Sequence, residues 1–217
     1  MLANNKNRKI DDSRTLNLLK KNRREEILKS AISAFSHKGY HNTSISDIIE
    51  KAGIARGTFY LYFENKRQIF DSVLDNLIIE LDRCIRIIEL GQDLPNPLDQ
   101  LKSNLIRVLT LFIENPELTR ILLRHATGLD AELDKKITEF YKNWALRIEE
   151  AIRLGIKMGI IRECNSRLIS YSILGCIKEV IEHTTLNRKE KPDIGVIADE
   201  LINFGLYGLK NPKLPFL

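Results

Sequence analysis

Cysteine, histidine, tryptophan and long apolar runs are all scarce in this chain of 217 residues, and each scarcity removes a class of protein. The three cysteines, Cys84, Cys164 and Cys176, are odd in number, widely spaced and without a C-x-x-C pair. That disfavours a disulfide framework and a zinc site, and leaves free core thiols. His37, His41, His125 and His183 stand apart from one another and from cysteine, so no metal is expected. Apolar runs such as Leu77-Ile78-Ile79 fall far short of the ~18 residues of a membrane span. The N-terminus alternates charges where a secretion signal needs ~7–15 consecutive apolar residues, so a cytoplasmic location without membrane contact is the expectation. No G-x-S-x-G, Walker lysine loop, H-E-x-x-H or dinucleotide fingerprint occurs, so neither an enzyme nor a cofactor is expected. Glu139 and Glu179 read as surface or anchoring groups.

With 43% hydrophobic and 29% charged residues, the chain can build a packed core. Its charge is segregated: residues 1–67 hold 14 Lys and Arg against 7 Asp and Glu, while residues 68–217 hold 20 against 22. The basic excess sits in the first third, which suits one end that meets a polyanion and a body that does something else.

Residues 1–21, rich in Asn, Lys and Arg, read as a flexible basic arm. Ile27, Leu28, Ala31, Ile32 and Phe35 then recur at helical spacing behind a capping box at Asn22 and Glu25, and Gly39 ends that helix. Ser44 with Asp47 opens a second helix, which Gly53 closes. Residues 55–63, ARGTFYLYF, are short enough for strand and helix to compete on propensity. Their place after a short helix and a glycine turn favours the helix of a helix-turn-helix, with Ile54 and Phe59 inward. Asn65 opens a long helix reaching Leu90, and Pro97 and Pro116 fit first helical positions. A helix over 130–158 ends before Gly159, and Asn165 and Pro192 open two more, the first of them apolar on several sides. A proline-bearing tail, 211–217, follows. Strand alternation and internal repeats are missing, so the fold class is all-α: a three-helix N-terminal domain over 22–67 and a larger helical body over 68–217.

The stretch 24–70, REEILKSAISAFSHKGYHNTSISDIIEKAGIARGTFYLYFENKRQIF, resembles the DNA-binding domain of the tetracycline-repressor (TetR) family of bacterial transcription regulators. The shared pattern is I-L-x-x-A-x-x-x-F, G-Y before T-S, I-x-x-A-G, then G-T-F-Y-x-Y-F and N-K. Beyond residue 90 the resemblance thins to helix number and length, which match a ligand-binding and dimerisation body. The resemblance implies that residues 55–62 enter the major groove of double-stranded DNA. It implies phosphate contacts from Thr43, Ser44 and Lys66, and a reading surface of Arg56, Gly57, Thr58, Tyr60, Leu61 and Tyr62. Two departures stand out. Many members carry Ser or Thr where Ala55 stands, so a helix cap and a phosphate contact are missing here. Leu61 replaces a residue that is often polar, which implies an apolar contact such as a thymine methyl.

The side-chain chemistry agrees. Arg56 has the fork that pairs with guanine, or serves equally as a phosphate contact or a solvated surface arginine. Tyr60 is favoured as a phosphate contact, whereas Tyr62 is open between DNA and core packing, since Phe59 and Phe63 alternate with both. Lys66 is misplaced for the dipole of its own helix but well placed for a phosphate. The arm, with Lys6, Arg8, Lys9 and Arg14 among its cations, is open between a groove-tracking segment and a solvated tail.

In the body, Leu74, Phe112, Leu122, His125, Phe140, Tyr141, Trp144 and Ile173 come from the helices that enclose a cavity in this family. They suit an apolar or amphipathic small-molecule effector, or else simply fill a core. His125 reads as a polar anchor or as a hydrogen-bonded buried histidine. Ile173, Ile177, Val180, Leu201 and Phe204 on the last two helices would form a four-helix homodimer interface. The leading expectation is a ligand-responsive repressor that binds palindromic DNA as a homodimer, with the helix 66–90 as the lever. The alternative is a dimeric DNA-binding protein without an effector, controlled by a protein partner or architectural.

Overall fold

Residues 2–126, 128–186 and 192–208 are described by the computed structural model, with side chains omitted for 2–13 and Leu16. Among them every regular element is a helix, and none is long and apolar enough to cross a membrane. The chain divides into two units, Met1–Asn76 and Leu77–Leu217.

The first unit holds α1 (Leu2–Asn42), α2 (Ile45–Ala52), α3 (Arg56–Tyr60) and the start of α4 (Lys66–Cys84). Residues 2–21 are therefore helical, which places Asn22 inside a helix rather than at its cap. No glycine or proline occurs before Gly39, so nothing interrupts a helix nucleated by the packed residues Ile27 to Phe35. The side chains of Lys6, Arg8 and Lys9 lie outside the described residues. Gly39 leaves the helical region at φ 76°, ψ 166°, and the chain turns there into α2. Buried Phe35, Ile48, Phe59, Phe63 and Phe70 form the core, with Phe70 edge-on to Phe35 at 5.0 Å and to Tyr40 at 4.9 Å.

The second unit holds the rest of α4, α5 (Pro97–Glu114), α6 (Pro116–Arg120), α7 (Ala131–Lys157), α8 (Ser166–Leu186) and α9 (Ile194–Tyr207). α7 packs along α8, and α5 against α8 and α9. Pro97 and Pro116 begin their helices as expected, whereas Asp193 rather than Pro192 caps α9. The tail 211–217 lies outside the described residues.

α4 ends at Cys84 instead of Leu90, although Ile85 and Ile88 continue its apolar period. The cause is tertiary. Buried Asn104 of α5 accepts from the Arg86 amide at 2.9 Å and donates to the Arg86 carbonyl at 2.8 Å. Gln100 does the same for Glu89, at 3.0 and 2.8 Å, and Arg107 donates to the Cys84 carbonyl at 2.7 Å. Side chains of α5 thus satisfy backbone groups that a longer helix would have satisfied internally.

Candidate nucleic-acid interface

The helix-turn-helix is set by caps that the sequence displays. Ser44 accepts from the Asp47 amide at 3.1 Å, and the Asp47 carboxylate accepts from the Ser44 amide at 2.7 Å, closing the box. Asp47 also pairs with Lys38 of α1 at 2.5 Å. The hydrogen bond from Lys38, followed by those from Ser44, holds the Asp47 carboxyl well below the usual carboxylate range. Gly53, at φ 61°, ψ 37°, ends α2 in the left-handed region that the turn into α3 requires.

α3 spans only Arg56–Tyr60, shorter than the expected 55–62, with Leu61 and Tyr62 in the turn that follows it. Ala55 caps it without a side-chain hydrogen bond, as its missing hydroxyl requires. Phe59 and Phe63 point into the core, leaving Arg56, Gly57, Tyr60 and Leu61 exposed and Thr58 and Tyr62 half-buried. The Arg56 guanidinium lies 5.9 Å from the centroid of the Tyr60 ring, one turn on. Leu61 is 80% exposed.

Thr43 needs correction. Its side chain is buried, and its hydroxyl donates to the carbonyls of Gly39 at 2.7 Å and Ala34 at 3.2 Å. It stitches the end of α1 and has no surface left for a phosphate. Ser44, next to it, is exposed. Lys66 is half-buried. Its ammonium donates to the carbonyls of Tyr40 at 2.8 Å and His41 at 3.3 Å, a structural role that sequence reasoning missed. Only the carbonyls of a folded neighbouring segment could have shown it.

The body residues divide differently from expectation. Leu74 is core of the first unit, while Phe112, Leu122 and Phe140 are buried in the second. His125, Tyr141, Trp144 and Ile173 are half-buried. Phe140 contacts Tyr141 and Trp144 at ring distances of 5.1 and 6.0 Å, so the aromatic stripe of α7 exists. Burial, with a smaller contribution from Glu182, pushes the Tyr141 hydroxyl up to about 12. Beyond α6 the backbone widens into a π-helical turn over Ile121–His125 that ends on His125. An open cavity of about 540 Å³ lies along α7 and α8, lined by Lys142, Leu146, Glu149, Arg153, Arg167 and Tyr171 among others. None of the eight expected residues lines it. On the last two helices Ile173, Ile177, Val180 and Leu201 are half-buried, while Leu168, Tyr171, Val196, Phe204 and Tyr207 are exposed.

Comparison with known proteins gives two family matches. Residues 27–73 match the model of bacterial regulatory proteins of the tetR family, and residues 95–182 match a tetracyclin repressor-like C-terminal domain. The chain is 30% identical to the nucleoid occlusion factor SlmA of Photorhabdus laumondii over 149 residues, 68% of this chain and 72% of that protein. It is 25% identical to the fatty acid metabolism regulator protein of Bacillus subtilis over 187 residues, 86% of this chain and 95% of that one. Among solved structures, FadR from Bacillus subtilis in complex with stearoyl-CoA superposes with a TM-score of 0.68 at 24% identity, covering 86% of this chain and 99% of that one.

Proposed function

The chain belongs to the tetR family of bacterial regulatory proteins and is a DNA-binding transcription regulator; on that premise we propose that it is a homodimeric repressor of palindromic DNA, released by an amphipathic acyl thioester. The observation that carries the DNA side is the outward face of α3. Arg56, Gly57, Tyr60 and Leu61 are exposed together on a helix whose other side is pinned by buried Phe59, within the basic third of the chain. Ser44 presents a helix N-terminus to a phosphate, and Lys66 reaches one with the donor capacity that its two carbonyl bonds leave.

Dimerisation is supported by Leu168, Tyr171, Val196, Phe204 and Tyr207, a set of large side chains on α8 and α9 that the single chain leaves in water. The effector is supported by the relatives, one named for fatty acid metabolism and one solved with stearoyl-CoA. The π-helical turn at Ile121–His125 adds to it, since such turns gather at functional sites. The Phe140-Tyr141-Trp144 stripe supplies apolar contact with a phenol to anchor a carbonyl.

A second reading, regulation without an effector, is favoured by the burial of Phe112, Leu122 and Phe140 as core and by the likeness to a nucleoid occlusion factor. Titration of the DNA-bound protein with stearoyl-CoA separates the two. Release of DNA with a parallel change in Trp144 fluorescence supports the effector. Unchanged DNA binding at saturating stearoyl-CoA and across a panel of shorter acyl-CoAs supports the second reading.

A further inference from the structure

Three cations, Lys142, Arg153 and Arg167, line the open cavity of about 540 Å³ along α7 and α8, against a single carboxylate, Glu149. That carboxylate is already engaged: Glu149 is buried and accepts from the Arg153 guanidinium one turn on. Arg153 also donates to the Ser166 hydroxyl at 3.3 Å, so it is held between α7 and the start of α8. The exposed side chains of Lys142 and Arg167 have no ion pair or hydrogen bond among the described residues. Arg167 sits in the first turn of α8, which holds no acidic residue, and the positive end of that helix adds to its charge. Asn165 takes the Leu168 amide at 3.0 Å, which leaves the amides of Ser166 and Arg167 without a partner among the described residues.

A cavity with this excess of positive charge stabilises an anion, and its volume lies within the ~300–1,000 Å³ of small-ligand sites. A carboxylate would bring one charge and two oxygens. A phosphomonoester brings close to two charges and three acceptor oxygens on one atom, which matches two uncompensated cations and two open amides. Leu146 and Tyr171, both exposed, supply apolar wall beside them. We propose that this cavity is a ligand site for a phosphomonoester with an apolar or aromatic body. Lys142, Arg167 and the first amides of α8 hold the phosphate, Glu149 positions Arg153 beside it, and the body lies on Leu146 and Tyr171. Phe140, Tyr141 and Trp144 do not line the cavity, so the site does not rest on the acyl-thioester reading.

Calorimetric titration of the full chain with AMP, in the absence of DNA, tests it. AMP is expected to bind, with adenosine weaker by at least about tenfold, the value of a charge-assisted hydrogen bond. Lys142→Gln combined with Arg167→Gln, at exposed positions that hold nothing in the fold, should weaken AMP by at least about tenfold as well. Because the phosphate takes up its second proton near pH 6, AMP affinity should fall about fourfold between pH 7.5 and pH 5.5. Coenzyme A, which carries a phosphomonoester of its own, distinguishes two sources of the same chemistry. Displacement of AMP by it supports the site as the seat of a thioester head group, and failure to displace AMP supports a free phosphomonoester. Adenosine binding as tightly as AMP, undiminished affinity in the double variant, or no binding of AMP and of 4-nitrophenyl phosphate at millimolar concentration overturns the site. None of these results bears on release of DNA by stearoyl-CoA, which tests the proposed effector separately.

Discussion

Lys66 holds Tyr40 twice: its ammonium donates to the Tyr40 carbonyl at 2.8 Å and lies 4.5 Å from the centroid of the Tyr40 ring. The first residue of α4 is thereby fastened to the end of α1, and Tyr40 itself packs on Phe70. A lysine that resemblance assigns to phosphate is also part of the scaffold. Lys66→Ala should therefore lower stability by about 1–2 kcal/mol as well as weaken binding to every DNA sequence alike. Chemical denaturation and binding to two unrelated duplexes check both parts; unchanged stability would return Lys66 to the phosphate alone.

Arg56 behaves in the opposite way. It is exposed and touches only the Tyr60 ring among the contacts described, so Arg56→Ala should leave stability within about 0.5 kcal/mol. Binding should lose preference at one base pair per half-site, by about 1–3 kcal/mol. Equal loss across all operator variants would make it a phosphate contact.

The Asp47 carboxyl titrates well below its unfolded value because Lys38 and Ser44 hydrogen-bond its charged form. A lowered folded-state pKa contributes stability that is present above the unfolded value and lost as pH falls below it. Stability should therefore decline as pH drops below about 4, with a shallower decline in Asp47→Asn. Equilibrium denaturation from pH 6 to pH 3 measures the difference, and identical slopes would show that the pair in solution is broken.

Asn104 is the hinge of the α4–α5 connection. Removing its buried amide leaves the part-buried Arg86 amide and carbonyl without that partner, so Asn104→Ala should destabilise by about 1–2 kcal/mol. Asn104→Asp, which keeps the acceptor and loses the donor, should fall between the two. Thermal unfolding ranks the three proteins.

What the sequence made legible was local. Ser44 with Asp47, Gly53, Asn65, Pro97, Pro116 and Asn165 mark helix ends through groups that act within a few residues, and they do so in the structure. The outward face of α3 was legible in part: Phe59 was read inward and is buried, whereas Thr58 and Tyr62, read with the outer face, are half-buried. What escaped depended on distant residues. The α4 end is set by amides of α5, eighteen residues away in the Asn104–Arg86 case. Thr43 was drawn inward by the carbonyls of Ala34 and Gly39. The cavity along α7 and α8 combines Lys142 and Glu149 with Arg167 and Tyr171, which no periodicity brings together.

Sequence-specific binding to a palindrome by a basic N-terminal unit is the central claim, and salt dependence tests it most directly. The affinity of the full chain for its selected inverted repeat, measured by fluorescence anisotropy between 50 and 300 mM salt, should fall with a log–log slope of about −0.9 for each phosphate neutralised, several units in all. Unlinking the half-sites should abolish the high-affinity complex. An affinity indifferent to salt, or equal for the repeat and for a scrambled duplex, would contradict the account.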